Sequence, residues 1–198
     1  RAGEVMGVAG VAGNGQDELM LALSGETLTS TNSIKLEDKY IGQSNPVQRR
    51  LLGLLTAPEE RLGHAAAPEM SLAENTLLSG FQRQKLGRRG FLNKPGAIEF
   101  AEKIVQQFDV RTPSVRNGAR SLSGGNLQKF VIGREILQNP RVFVVNQPTW
   151  GVDAAAAAFI RQALLELAEG GAGVLVISQD LDELMEISDS FMVLSEGE

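Results

Sequence analysis

The chain has 198 residues, a formal net charge of −5, 42% hydrophobic residues and no cysteine. This length buries its own core unaided, and the lack of cysteine excludes a disulfide framework and any thiolate metal site. No apolar run approaches the roughly 18 residues of a membrane span, the opening residues do not read as a secretory leader, and the acidic balance argues against nucleic acid as main partner.

Residues 5–9 are a short aliphatic run leading into glycines, which predicts a strand and a turn; Leu19, Ala22 and Leu23 then continue at helical spacing. Residues 27–40 are polar with weak alternation at Ile34 and Leu36, predicting a small peripheral strand pair. Further strands are read at 51–55, 142–145, 174–177 and 191–194. All are too apolar to be half-exposed, so they fit strands buried on both faces of a parallel sheet covered by helices. Between about 60 and 136 helical patterns dominate. Asn93-Lys94-Pro95 opens one helix, with proline in the first turn where its missing N–H costs little. Ile98, Ala101, Val105 and Phe108 share a face of it. Ser123 caps the next helix, which Asn139-Pro140 ends. Residues 154–168 are alanine-rich and stopped by Gly170-Gly171, and 181–187 form a shorter helix. The alternation predicts an α/β domain with right-handed crossovers. Its core comprises 1–59 and 137–198, and a helical lobe is inserted at 60–136. The chain opens almost directly on a core strand and stops soon after another, so it reads as an excised domain.

Four segments carry chemistry. In Gly10-Val11-Ala12-Gly13-Asn14-Gly15-Gln16-Asp17, a glycine loop between strand and helix lets backbone N–H groups converge on an anion at a positive helix end. The spacing Gly10-x4-Gly15 is that of a phosphate loop, but the Lys and Ser or Thr of a working loop are replaced by Gln16 and Asp17. Alone, the loop fits either a phosphate cradle or a plain tight turn. The string Arg120-Ser121-Leu122-Ser123-Gly124-Gly125-Asn126-Leu127-Gln128-Lys129 presents a hydroxyl and unobstructed amides at a helix start. Residues 142–153 and 174–183 are apolar strands ending in polar groups, which deliver Asn146, Gln147 and Gln179 to the carboxyl edge of the sheet.

In order and spacing these segments resemble the nucleotide-binding domain of an ABC transporter. More narrowly, they resemble the second of two ATPase domains fused in one subunit of bacterial simple-sugar and nucleoside importers. The resemblance covers the whole length. It implies a P-loop NTPase core with a mostly parallel sheet and an inserted helical subdomain, lacking the N-terminal strands and the aromatic residue that stacks on adenine. Residues 10–17, with Gly10, Gly13, Asn14, Gly15, Gln16 and Asp17, stand at the Walker A motif, and Glu59 at the Q-loop. Leu122-Ser123-Gly124-Gly125-Asn126 is an intact signature. Asn146 and Gln147 close the Walker B strand, Asp153 lies in the D-loop, and Gln179 holds the H-loop position.

The departures from the family pattern bear on mechanism. Gln16 supplies no positive charge, neutral Asn146 is a poor partner for a hard cation, and Gln147 has no carboxylate to act as a base. Gln179 replaces the γ-phosphate-sensing histidine, and Glu59 the Q-loop glutamine. Hydrolysis in cis is therefore not expected, and no residue of the chain is expected to hold a metal. Asp17, favoured by the helix dipole, is expected to stand in for a phosphate in an empty or weakly occupied loop. The resemblance further implies that Ser123, Gly124, Gly125 and Asn126 serve in trans, clamping ATP and Mg²⁺ held by the first ATPase domain of the same subunit. The implied partners are that domain, transmembrane permease subunits and, indirectly, a periplasmic or lipid-anchored substrate-binding protein. The implied location is cytoplasmic, peripheral on the inner membrane face.

The remaining features have plain alternatives. The lone His64 reads as a solvated loop residue. Arg83, Lys85, Arg88 and Arg89 with Phe81 and Phe91 read as a solvated loop, or as a contact with the permease or lipid headgroups. Trp150 packs at a domain pair interface or merely covers the core. Glu59, Glu60 and Arg61 transmit motion to the permease or form a surface ion pair. Two other functions compete: a regulatory or scaffolding domain that never touches nucleotide, and a soluble ABC ATPase acting on nucleic acid, which lacks its expected basic arm or coiled coil here.

Overall fold

The computed structural model describes residues 1–88 and 90–196, and for Arg88 the backbone only. Arg89 of the basic cluster lies outside the described residues. The chain divides into two compact units.

The first unit comprises Arg1–Thr56, Pro140–Gln147 and Leu164–Glu198. Strand β1 (Val5–Ala9) leads into helix α1 (Gln16–Ser24). The short pair β2 (Lys35–Leu36) and β3 (Lys39–Tyr40) follows as an antiparallel ribbon, as the weak alternation predicts. Helix α2 (Pro46–Leu52) and strand β4 (Leu54–Ala57) come next. The strand read at 51–55 is thus corrected: its first residues are the end of α2. Asn45 and Gln48 form a reciprocal capping box, with Pro46 in the first turn, so the helix claims the leucines after it. Gly53, at φ 98°, then turns the chain sharply from helix into strand.

Strands β7 (Val142–Asn146), β8 (Gly173–Ser178) and β9 (Ser190–Val193) complete a five-stranded sheet in the order β4-β7-β8-β1-β9. β8 pairs in parallel with both β7 and β1, and β9 in parallel with β1. Val8, Met20, Val144 and Ile177 form a buried cluster that seats α1 on the sheet. β9 departs from expectation. All four of its residues are exposed, because it is an edge strand rather than a doubly covered one. Helix α7 (Leu181–Ile187) precedes it.

A fully buried Arg49 ties this unit together. Its guanidinium donates to the carbonyls of Ala22, Leu23, Gly42 and Ser44, joining the end of α1 to the loop before α2. Burial lowers its pKa.

The second unit comprises Ala57–Asn139 and Pro148–Ala163. It contains α3 (Leu72–Gly80), opened by a Ser71–Glu74 capping box, α4 (Lys94–Gln107) and α5 (Gly124–Ile136). Helix α6 (Ala154–Glu169) begins in this unit. A small hairpin, β5 (Gly87–Arg88) with β6 (Phe91–Leu92), adds strand structure where none was read. On α4 the buried stripe is Ala97, Phe100, Ala101, Ile104 and Phe108, with Ile98 and Val105 half-buried at its margin. The buried face is thus rotated by one position from the expected one. Phe130, Val131 and Ile132 of α5 are fully buried. Arg83 donates to the carbonyls of Gln138 and Asn139 just beyond α5, so this member of the basic cluster serves the fold. Among the described residues no helix is long and apolar enough to cross a membrane.

Replacing Arg49 by Met is expected to cost about 3 kcal/mol or more, because several buried carbonyls lose their donor together. Guanidinium unfolding checks this, and a loss below about 1 kcal/mol overturns the role given to Arg49.

Candidate functional site

The parallel register decides what meets at the carboxyl edge of the sheet in the first unit. Ala9 is opposite Ser178 and Asn146 opposite Ile177, so Gly10, Gln147 and Gln179 all leave the sheet on one side. Ligands of α/β sheets bind there.

The loop at 10–15 has the backbone of an anion nest, with Gly13 at φ 84° and Gly15 at φ 108° leading into α1. Its interior is occupied by its own chain. Gln16 is 7% exposed. Its Nε2 donates to the Val11 carbonyl at 3.0 Å, and its Oε1 accepts from the Asn14 backbone N–H at 3.1 Å. Asn14 Nδ2 donates to the same Val11 carbonyl at 2.8 Å, and the Glu196 N–H donates to Asn14 Oδ1 at 2.8 Å. As built, Gln16 takes up the Asn14 N–H, one of the backbone donors of this loop. Asp17, expected to stand in for a phosphate, is exposed, and its Oδ1 is 3.4 Å from Asn146 Nδ2.

Asn146 is 3% exposed and its Oδ1 is buried without a hydrogen-bond partner. Gln147 sits in the left-handed region at φ 50°, with its N–H bonded to the Ile177 carbonyl at 2.8 Å. Its Oε1 lies 3.4 Å from the Gln179 N–H, so this amide faces the chain rather than an open pocket. The Gln179 side chain is exposed. None of these groups supplies a cation or a carboxylate base. Among the described residues no group of three or more His, Cys, Asp or Glu is arranged to hold a metal ion.

The second unit presents the other helix start. Ser123 is the N-cap of α5, and its Oγ accepts from Asn126 Nδ2 at 2.9 Å and, more weakly, from the Asn126 N–H at 3.5 Å. Asn126 is itself oriented by Oδ1, which accepts from the Arg111 N–H at 2.8 Å. With both interactions accepted, the Ser123 hydroxyl proton is free to point outward. Ser123 and Gly124 are exposed.

Arg61 and Gln128, both within segments quoted above, pair beneath this surface. Arg61 donates through Nε to Gln128 Oε1 at 2.9 Å, and Gln128 Nε2 donates to the Pro148 carbonyl at 2.9 Å. A Cβ on Gly124 would lie 3.2 Å from Arg61 Nη1 and 3.4 Å from the Gly151 carbonyl, and one on Gly125 would lie 3.2 Å from Ala156 Cβ. A side chain at either position would therefore be tightly placed. Burial lowers the Arg61 pKa, with Glu59 acting in the opposite direction; Glu59 itself is exposed. The 67-residue separation of Arg61 and Gln128 left no local signal of their pairing. Asp153 accepts from the Ala156 N–H at 2.9 Å at the start of α6. That bond holds its carboxyl below the usual aspartate range. Trp150 is 63% exposed.

The ABC transporter family profile matches residues 1–150, and the chain belongs to this family. It is 38% identical over 197 residues to the guanosine import ATP-binding protein NupO of Bacillus subtilis, covering 100% of the chain and 39% of that protein. It is 39% identical over 198 residues to the nucleoside import ATP-binding protein NupA of Lactococcus lactis, again covering 100% and 39%. The ribose import ATP-binding protein RbsA 1 of Rubrobacter xylanophilus is 38% identical over 197 residues, with the same coverage. The chain thus spans about two fifths of the length of these relatives. Among solved structures, a dimeric ATP-binding cassette in a post-hydrolysis state bound to ADP and Pi superposes with a TM-score of 0.79 at 19% identity, covering 100% of this chain and 83% of that one. A nucleotide-free cassette gives 0.76 at 24% identity, covering 100% and 79%. The fold is that of a P-loop ABC ATPase.

The Asp153 cap carries a pH signature. A carboxyl with a lowered folded-state pKa contributes stability above the ordinary aspartate range, and that contribution is lost as pH falls through the lowered value. Asp153→Ala is expected to lower the melting temperature at neutral pH, with the gap to wild type closing in acid. Thermal melts across a pH series check this; a gap that persists unchanged into strong acid overturns it.

Proposed function

We propose that this chain is the second, degenerate ATP-binding cassette of an importer subunit for nucleosides or simple sugars. It acts by lending the start of α5 to a nucleotide held by the first cassette of the same subunit. The observation that carries this reading is the contrast between its two helix starts. The Walker A loop is filled by Gln16, while the signature start is exposed and its hydroxyl is oriented. The names of the relatives support the importer assignment.

In this reading Ser123 donates its hydroxyl, and Gly124 and Gly125 their amides, to the terminal phosphate of ATP across the cassette pair. ATP and Mg²⁺ belong to the partner's site, where they supply the phosphoryl group and its charge neutralisation. Donors fixed before the reaction act on the developing charge without reorganising, which is where such groups are worth most. Asn126 is a positioning residue that sets the Ser123 hydroxyl, with Arg111 setting Asn126 in turn. The positive end of α5 adds to the field. Asp153 belongs to the D-loop, and Glu59 to the segment that couples to the permease. The cassette lies on the inner face of the membrane against permease subunits, which with a substrate-binding protein set what is carried.

The test uses the complete subunit in its transporter. Ser123→Arg is expected to lower ATP hydrolysis and transport by roughly a hundredfold, as loss of a transition-state donor does. Normal transport by this variant sinks the reading in favour of a scaffold that never contacts nucleotide. Brisk hydrolysis by the 198-residue chain alone also overturns it.

A further inference from the structure

We propose that Gln16 is a built-in stopper: its side-chain amide occupies the interior of the 10–15 loop and takes up the backbone group that a phosphate would use. The loop is thus closed from within, as well as short of charge. The inference builds on the proposed function, which already treats this loop as inactive, and adds the physical cause.

Three observations carry it. First, Gln16 is the opening residue of α1, a position where a polar side chain ordinarily turns to water, yet it is 7% exposed. Second, both ends of its amide are matched. Oε1 accepts the Asn14 N–H at 3.1 Å, and Nε2 donates to the Val11 carbonyl at 3.0 Å. An amide is a neutral group with donor and acceptor side by side, whereas Lys offers donors only and an ionised Glu acceptors only. Third, the space is shaped for it. A Cβ on Gly10 would lie 2.2 Å from Gln16 Nε2 and 2.9 Å from the Leu194 carbonyl, so the loop's first glycine makes room for the stopper. The Asn14 side chain donates to the same Val11 carbonyl and accepts from the Glu196 N–H. An anion entering the loop must displace Gln16 from both partners and leave the Val11 carbonyl short of one donor.

The experiment titrates inorganic pyrophosphate into the ¹⁵N-labelled 198-residue chain and follows the backbone amides of Gly13, Asn14 and Gly15. Wild type is expected to show no saturable shift at millimolar pyrophosphate. Gln16→Ala frees the Asn14 N–H and is expected to bind roughly tenfold tighter or better. Gln16→Lys is expected to bind at least as well as Gln16→Ala, while Gln16→Glu, whose carboxylate stays at the Asn14 N–H, is expected to stay closed. Asn14 amide exchange in wild type supplies a check independent of any variant: it is expected to be slow, and to quicken in Gln16→Ala. A folded Gln16→Ala that binds no better than wild type overturns the stopper and leaves the proposed function standing. Wild-type binding as tight as that of Gln16→Ala overturns both. Fast exchange of Asn14 in wild type refutes the stopper even if the variants fail to fold. Opening by Gln16→Ala together with normal transport by Ser123→Arg retains the stopper and rejects the proposed function.

Discussion

The parallel ladder that joins β7, β8 and β1 is the constraint on which the chemistry of the first unit depends. Parallel pairing sends every strand out of the sheet on the same side, so three sequence-distant segments deliver their polar residues to one edge. Val8, Met20, Val144 and Ile177 then fix α1 over that edge. Arg49 ties the far end of the same helix to the following loop. The glycine loop is thereby held between a buried strand and a pinned helix, and small side-chain choices inside it have fixed consequences.

Those choices differ between the two helix starts. At α1 the loop satisfies itself: an amide side chain, a backbone N–H and a carbonyl close a local network in which every member has a partner. At α5 the network ends one step short. Arg111 orients Asn126, Asn126 donates to Ser123, and the Ser123 hydroxyl keeps its own proton to donate. The same element, a helix N-terminus with glycines, is thus turned inward in one place and outward in the other by a few side chains. Asn146 and Gln147, at the same edge of the sheet, end in neutral amides that carry neither a charge nor a carboxylate base.

Much of this was legible in the residues. The apolar runs at β1, β7 and β8 are buried strands because β-branched residues crowd them and glycine or polar residues end them. The capped starts of α4 and α5 were equally plain from Asn93 and Ser123. The 51–55 run misled because its leucines belong partly to α2, where a capping box outweighs the apolar pattern. β9 looks like a core strand from composition, yet burial is a property of neighbours and not of the strand itself. At the candidate site the motif positions could be read, but the direction of Gln16 could not. Whether a side chain folds back or extends depends on distances set by the loop. The Arg61–Gln128 pair escaped for the same reason: it is made by packing across the unit and leaves no periodic trace.

The open flank of β9 has a practical meaning for the isolated polypeptide. Phe191, Met192 and Val193 are 49%, 44% and 60% exposed on the last strand of the sheet, where backbone donors and acceptors face outward beside greasy side chains. Such a margin is a template on which another extended segment can crystallise, including the same margin of a sister molecule. A single lysine grafted onto this strip would act as a gatekeeper against such pairing.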